Sequence, residues 1–143
     1  MFRVTRRYRF AASHRLHAAE LSEEENRALY GKCNHPYGHG HNYVVEVTAR
    51  GPADESGRAV DLGLLDGLVE RHVVAEFDHR DLNSEVARFA SEVPTSENLA
   101  REVCRRLKQN WSGVFAGEWP RLERVRVGET RKNTFEIRAD EIE

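Results

Sequence analysis

Residues 39–49 have the sequence HGHNYVVEVTA. The pattern predicts a β-strand over about His39–Ala49. Because side chains alternate between the two faces of a strand, His39 and His41 point to the same face, where two imidazoles can bind one metal ion. Gly40 leaves the position between them without a side chain. The segment therefore predicts a strand with a candidate metal site at its start.

A third histidine stands at the end of a second predicted strand. Apolar and polar residues alternate from Phe2 to Ser13, which predicts a strand that leads directly into His14. Three imidazoles with an open fourth position are typical of catalytic zinc, whereas a structural zinc site has four protein ligands. The sequence therefore favours a catalytic zinc site at His14, His39 and His41.

Cys33 allows two interpretations. As a fourth ligand it would close the site and make the metal structural. As a free thiol near Zn²⁺ or a protonated imidazole it would have a lowered pKa and could serve as a thiolate base. Asp78-His79 is a natural partner for such a base, since an acidic residue fixes the tautomer of the imidazole that it contacts.

The remaining periodicities predict an α+β fold. Ser22 and Glu25 form a capping-box pattern, so a short helix is expected over Glu23–Tyr30. The other predicted elements are a helix over about Leu62–Phe77, a helix that starts at Pro94-Thr95-Ser96-Glu97 and runs to about Trp111, and strands Leu122–Glu129 and Thr134–Arg138. This order predicts a four-stranded antiparallel sheet with two main helices on one face. Its two open edges must be paired or covered, which favours oligomerisation.

Size and composition limit the class of protein. A chain of 143 residues predicts one domain over 1–143. The 22 basic and 24 acidic residues give no electrostatic reason to expect nucleic acid as a partner. Neither a signal peptide nor a membrane span is recognisable, so we expect a cytoplasmic protein with no membrane partner.

Seven motifs in order along the chain carry a family resemblance. They are Phe10-Ala-Ala-Ser-His14-Arg-Leu, Leu21-Ser-Glu-Glu-Glu-Asn26, Gly31-Lys-Cys33-Asn, Gly38-His39-Gly-His41-Asn-Tyr, Phe77-Asp78-His79-Arg-Asp-Leu-Asn83, Pro94-Thr-Ser-Glu-Asn-Leu-Ala100 and Val127-Gly-Glu129-Thr. Together they span nearly the whole chain. On these motifs the sequence resembles the 6-pyruvoyltetrahydropterin synthase family.

The resemblance implies a tunnelling fold, or T-fold, in which trimers close a β-barrel and two trimers form a homohexamer with active sites between subunits. It implies that His14, His39 and His41 bind Zn²⁺. It also implies that Cys33, Asp78 and His79 transfer protons. Finally, it implies that Glu129 anchors the pterin ring, close to Thr95 and Ser96. The implied substrate is 7,8-dihydroneopterin triphosphate, which loses triphosphate.

Two reactions occur in the family, the 6-pyruvoyl synthase of tetrahydrobiopterin synthesis and the 6-carboxytetrahydropterin synthase of queuosine synthesis. Five residues separate Cys33 from His39, as in the pyruvoyl enzymes, so we favour the pyruvoyl product. Alternatives of other kinds are a zinc hydrolase and a non-catalytic zinc-binding assembly module. The basic residues that could meet the triphosphate are Arg9, Arg15, Arg131 and Lys132.

Overall fold

A computed structural model describes residues 1–142. Its centre is a sheet with the strand order β3-β1-β2-β4-β5. The strands are β1 (Phe2–His14), β2 (His39–Gly51), β3 (Arg80–Asp81), β4 (Arg121–Gly128) and β5 (Thr134–Arg138). All neighbouring pairs are antiparallel except β1 and β3, which run parallel.

Helices connect the strands. They are α1 (Glu23–Tyr30), α2 (Leu62–Val69), α3 (Ala75–Phe77), α4 (Leu82–Glu85) and α5 (Ser96–Asn110). A π-helical turn over Glu70–Val74 joins α2 to α3, so the helical segment predicted at 62–77 is continuous. The capping box of Ser22 and Glu25 starts α1, and the Thr95 hydroxyl starts α5 by accepting the Asn98 amide at 3.1 Å. The helix starts predicted from the sequence are therefore confirmed.

The core lies between one face of the sheet and the helices. From the sheet it contains fully buried Tyr43, Val45, Val47, Val125 and Val127. From the helices it contains Leu65, Val69, Phe77, Leu99, Val103 and Leu107. The side chains of opposite parity, such as Arg7 and Arg9 on β1, are exposed on the other face. This alternation leaves one face of the sheet uncovered by helices.

The sheet has five strands where the sequence predicts four. The additional strand, β3, has only two residues, and these pair with Ala12 and Ser13 of β1. Two residues are too few to show a period of two, so the pattern does not predict them. Strand β4 also begins and ends one residue before its predicted bounds, which leaves Glu129 just beyond the strand.

Two edges of the sheet are open. Because β3 covers β1 only at Ala12 and Ser13, the preceding part of β1 has no strand partner on that side. The whole of β5 forms the opposite edge. Within residues 1–142, no helix has both the length and the apolar character that crossing a bilayer requires.

Candidate metal centre

The strand register brings three histidines to one face of the sheet. His14 pairs with His39, and Ala12 pairs with His41. Since directly opposed residues of neighbouring strands share a face, all three imidazoles lie on the face that the helices cover. The ring centroids of His14 and His41 are 4.7 Å apart, and those of His39 and His41 are 4.5 Å apart. His14 is fully buried and His39 is exposed.

Four donor groups converge at this position. Ligand atoms of His14, Cys33, His41 and Glu129 lie within 4.8 Å of one another. The Cys33 sulfur is 3.7 Å from Nε2 of His41, and a Glu129 carboxylate oxygen is 3.0 Å from the same nitrogen. His39 lies beside this group rather than in it. The structure therefore brings two predicted ligands together with the predicted base and the predicted pterin anchor.

The hydrogen bonding of His14 prepares it to bind a metal ion. Its Nδ1 is 2.8 Å from the carbonyl oxygen of Pro94, with the Tyr43 hydroxyl at 3.2 Å. A carbonyl oxygen only accepts, so Nδ1 carries the proton and Nε2 has a free lone pair. Nε2 is buried and has no hydrogen-bond partner among residues 1–142. A buried, unpaired imidazole nitrogen with its other nitrogen held by a carbonyl is the arrangement that metal-binding histidines show.

The protonation states also suit a metal ion. Burial is the main effect that lowers the pKa of His14 and of His41 below the usual histidine range, although Glu129 acts in the opposite direction. Neutral imidazoles are the form that binds metal. Burial raises the pKa of the Cys33 thiol, and Glu129 raises it further. The thiol therefore needs an added positive charge nearby to ionise.

Backbone contacts hold Cys33 beside the histidines. A 3₁₀ turn over Gly31–Asn34 carries Cys33, whose carbonyl accepts the Leu16 amide at 2.7 Å. The Asn34 side chain donates back to the Leu16 carbonyl at 2.7 Å. Between this turn and β2, Gly38 has a φ of +82°, and a Cβ added there would lie 3.2 Å from the His14 carbonyl oxygen. The loop thus needs glycine at position 38.

Glu129 connects the donor group to the start of α5. Ser96, which is almost fully buried, donates a hydrogen bond to a Glu129 carboxylate oxygen at 2.9 Å. Thr95 does not contact Glu129 in this way, because its hydroxyl caps α5. Of the two helix-start residues predicted near the substrate, Ser96 therefore positions the carboxylate directly.

Asp78 and His79 form a pair at the edge of β1, outside this donor group. Asp78 accepts the Ala11 amide at 2.9 Å, which lowers the pKa of its carboxyl group, and it contacts Nδ1 of His79 at 3.0 Å. The exposed His79 lines a cavity with Ala11, Ser13, Gly40 and Asn42. Ala12 and His41 line the same cavity, so it includes residues of both strand parities at this end of β1 and β2. No hydrogen bond or ion pair of residues 1–142 joins His79 to Cys33.

Two further groups at this centre are not predicted from the sequence, the Pro94 carbonyl and the Tyr43 hydroxyl. Tyr43 has the same strand parity as His41, so the alternation that places the histidines also indicates its position. Pro94 lies eighty residues from His14 along the chain. A backbone carbonyl has no residue-type signature, and no pattern in the sequence indicates this contact.

Comparison with known proteins gives a family match and similar relatives. The family model described as 6-pyruvoyl tetrahydropterin synthase matches residues 3–140. A 6-pyruvoyl tetrahydrobiopterin synthase of Poecilia reticulata is 41% identical over 138 residues, which is 96% of this chain and 90% of the relative. A putative 6-carboxy-5,6,7,8-tetrahydropterin synthase of Archaeoglobus fulgidus is 37% identical over 100 residues, or 70% of this chain and 75% of the relative.

A solved structure has the same architecture. The 6-pyruvoyl tetrahydropterin synthase of Caenorhabditis elegans superimposes with a TM-score of 0.84 and 38% sequence identity. The superposition covers 96% of this chain and 94% of the other. The α+β fold described above is therefore that of solved pterin synthases.

Proposed function

The chain belongs to the 6-pyruvoyl tetrahydropterin synthase family, and on that premise we propose that it is a zinc-dependent lyase that converts 7,8-dihydroneopterin triphosphate with loss of triphosphate. The observation that carries this proposal is the convergence of His14, Cys33, His41 and Glu129. A metal site, a thiol and a carboxylate lie together there, as a reaction that binds a pterin and moves protons requires.

We propose that His14, His39 and His41 hold the metal ion. The shared face of the three imidazoles and the free, buried Nε2 of His14 support this ligand set. A bound zinc ion would act as a Lewis acid toward the side-chain hydroxyls of the substrate and so make the neighbouring C–H bonds more acidic. Cys33 is the alternative fourth ligand, since its sulfur is 3.7 Å from His41.

Glu129 is proposed to anchor the pterin ring. A carboxylate accepts two hydrogen bonds at once, which matches the adjacent N–H donors of a 2-amino-4-oxopterin. The bond from Ser96 fixes its orientation, and Thr95 contributes by starting the helix that carries Ser96. Cys33, beside this anchor, is proposed to take a proton from the substrate as a thiolate.

Asp78 and His79 are proposed to reach the reaction site of another copy of the chain. The exposure of His79 at the edge of β1 supports this, because no hydrogen bond or ion pair within residues 1–142 joins the pair to Cys33 of the same chain. The ionised Asp78 holds the proton on Nδ1 of His79, so Nε2 is free to exchange protons.

The open edges of β1 and β5 support an assembly by edge pairing. We propose that three chains join these edges into a barrel and that two trimers form a homohexamer. We further propose one functional domain over residues 1–143 and retain the cytoplasmic location as a prediction.

The test is to incubate the zinc-loaded protein with 7,8-dihydroneopterin triphosphate and to identify the pterin product by mass spectrometry, with Cys33→Ala as the control. A 6-pyruvoyl product that is lost in the variant supports the proposal. A 6-carboxy product with released acetaldehyde would assign the chain to the second reaction of the family. Fully bound zinc without turnover would favour the assembly module.

A mixing experiment tests whether the site is shared between copies. Cys33→Ala and His79→Ala are each expected to be inactive, but co-assembled in equal amounts they should recover roughly a quarter of the wild-type activity, because random assembly restores that share of sites. Sites contained within one chain would stay inactive in every mixture.

A further inference from the structure

The uncovered face of the sheet contains a cavity of about 500 Å³ where β1, β2 and β4 run side by side. Four arginines line it, Arg7, Arg9, Arg126 and Arg131. The carboxylates in its lining are Glu46 and Glu129, so four positive charges face two negative ones. We propose that this arginine pocket binds a linear triphosphate, which under the proposed function is the anionic tail of the substrate and the leaving group.

The arginines keep unused hydrogen-bond donors. Arg9 and Arg131 are exposed and form no ion pair with any other residue of the described chain. Arg7 and Arg126 share one carboxylate, Glu46, at 2.8 and 3.3 Å. Nε of Arg126 is buried without a hydrogen-bond partner among residues 1–142, and it lies 3.5 Å from a carboxylate oxygen of Glu136 in an ion pair. Guanidinium groups with unused N–H donors suit phosphate, because phosphate oxygens accept bidentate, charge-assisted hydrogen bonds.

The shape of the pocket follows from the strand register. Arg9 pairs with Val44, and Val44 pairs with Gly128, so one row across the sheet ends in a residue without a side chain. The neighbouring row is Arg7, Glu46 and Arg126. Rows on one face are separated by about 7 Å, and β1 lies about 10 Å from β4 across β2. The cations thus surround an elongated floor, which suits three linked phosphates better than one.

The pocket lies next to the reaction site. Strand β2 continues beyond the end of β4, because Val44 is opposite Gly128 and residues 39–43 have no β4 partner. Glu129 follows at this open end, where its carboxylate contacts His41 while the residue also lines the arginine pocket. A pterin held by Glu129 can therefore extend a phosphate tail around the end of β4 to Arg9 and Arg131.

The test titrates inorganic tripolyphosphate into the zinc-loaded protein by calorimetry, with the zinc content measured before and after, since the anion itself binds zinc. We expect Arg9→Gln and Arg131→Gln each to weaken binding by about 3- to 10-fold, and the double variant by more than about 10-fold. Arg101→Gln is the matched control, because it removes the same charge from an exposed position on α5. Orthophosphate should bind more weakly than tripolyphosphate.

Equal binding of tripolyphosphate by the wild type and the double variant would overturn the inference, and so would no binding at all. Failure of the proposed function would give a different result. Tripolyphosphate would then bind in a way that depends on Arg9 and Arg131, but the protein would not turn over the pterin substrate. If both hold, the double variant should raise the KM for 7,8-dihydroneopterin triphosphate while its zinc content stays unchanged. Arg9→Lys, which keeps the charge but loses the bidentate donor, should lie between the wild type and Arg9→Gln.

Discussion

Gly38→Ala tests whether the loop after Cys33 supports the metal centre. Gly38 has a φ of +82°, and an added Cβ would lie 3.2 Å from the His14 carbonyl oxygen and 3.5 Å from the carbonyl carbon. Gly57→Ala is the matched control, since Gly57 has a φ of +83° and its added Cβ would meet nothing within 4 Å. The difference between the two variants therefore isolates the contact with His14.

The expected losses of unfolding free energy follow from two effects, the positive φ and the close contact with His14. A side chain at positive φ costs about 1 kcal/mol in either variant. The close contact at Gly38 adds about 1 kcal/mol, because the backbone on both sides must shift. We expect Gly57→Ala to lose about 1 kcal/mol of unfolding free energy and Gly38→Ala about 2 kcal/mol. Only Gly38→Ala should also lose zinc affinity, by about 10-fold, because the shift moves the backbone that carries His14.

Urea unfolding of the metal-free variants, followed by circular dichroism at one protein concentration, measures the free energy of unfolding. Competition with a chromogenic chelator measures the zinc affinity. Equal losses of unfolding free energy in the two variants, with unchanged zinc affinity in both, would refute the role assigned to Gly38.

Three further perturbations test separate parts of the structure. Asn26→Ala should cost about 3 kcal/mol in chemical unfolding, because this fully buried amide makes four hydrogen bonds with the backbone around the start of α1; a loss below 1 kcal/mol would contradict that role. Ser96→Ala should raise the KM for the pterin substrate by about 5-fold with an unchanged fold, because Glu129 loses the donor that orients it; an unchanged KM would separate Ser96 from the site. The hydrogen bond from Arg6 lowers the pKa of Asp66 below its ordinary value of 3.8. The ion pair therefore stabilises the fold at pH values above 3.8, and this stabilisation is lost as the pH falls through the lowered pKa. Asp66→Asn should therefore lower the melting temperature at neutral pH and approach the wild type in acid, whereas a constant difference would exclude the ion pair as the cause.

The periodic elements and the histidine face are predictable from the sequence because both follow from local rules. Alternation along β1 and β2 places His14, His39 and His41 on one face, and the strand register agrees. The capping residues Ser22 and Thr95 start their helices as their patterns indicate, because capping depends only on neighbours in the chain.

The contacts that tune the centre depend on tertiary structure and are not predictable in this way. The alternation rule says nothing about which loop meets His14, so the Pro94 carbonyl is found only in the folded chain. Burial raises the pKa of Cys33, while the sequence alone suggests a lowered pKa on the assumption of an adjacent cation. The left-handed backbone of His79, with a φ of +59°, is also unexpected for a residue other than glycine.

The position of Asp78 and His79 also depends on the tertiary structure and is not predictable from the sequence pattern. The backbone of Ala11 holds both residues at the edge of β1, because its amide donates to Asp78 and its carbonyl accepts the His79 amide. The family resemblance implies that these residues act together with Cys33, but no hydrogen bond or ion pair of residues 1–142 joins them to it.

The most direct test of the metal centre is the zinc content of His14→Gln, measured by mass spectrometry of the purified protein after loading and desalting. His17→Gln is the matched control, because His17 lies three residues further along and its ring pairs with Asn34 instead of the donor group. We predict one zinc ion per chain in the wild type and in His17→Gln, and none in His14→Gln. Full zinc content in His14→Gln would contradict the metal centre described here.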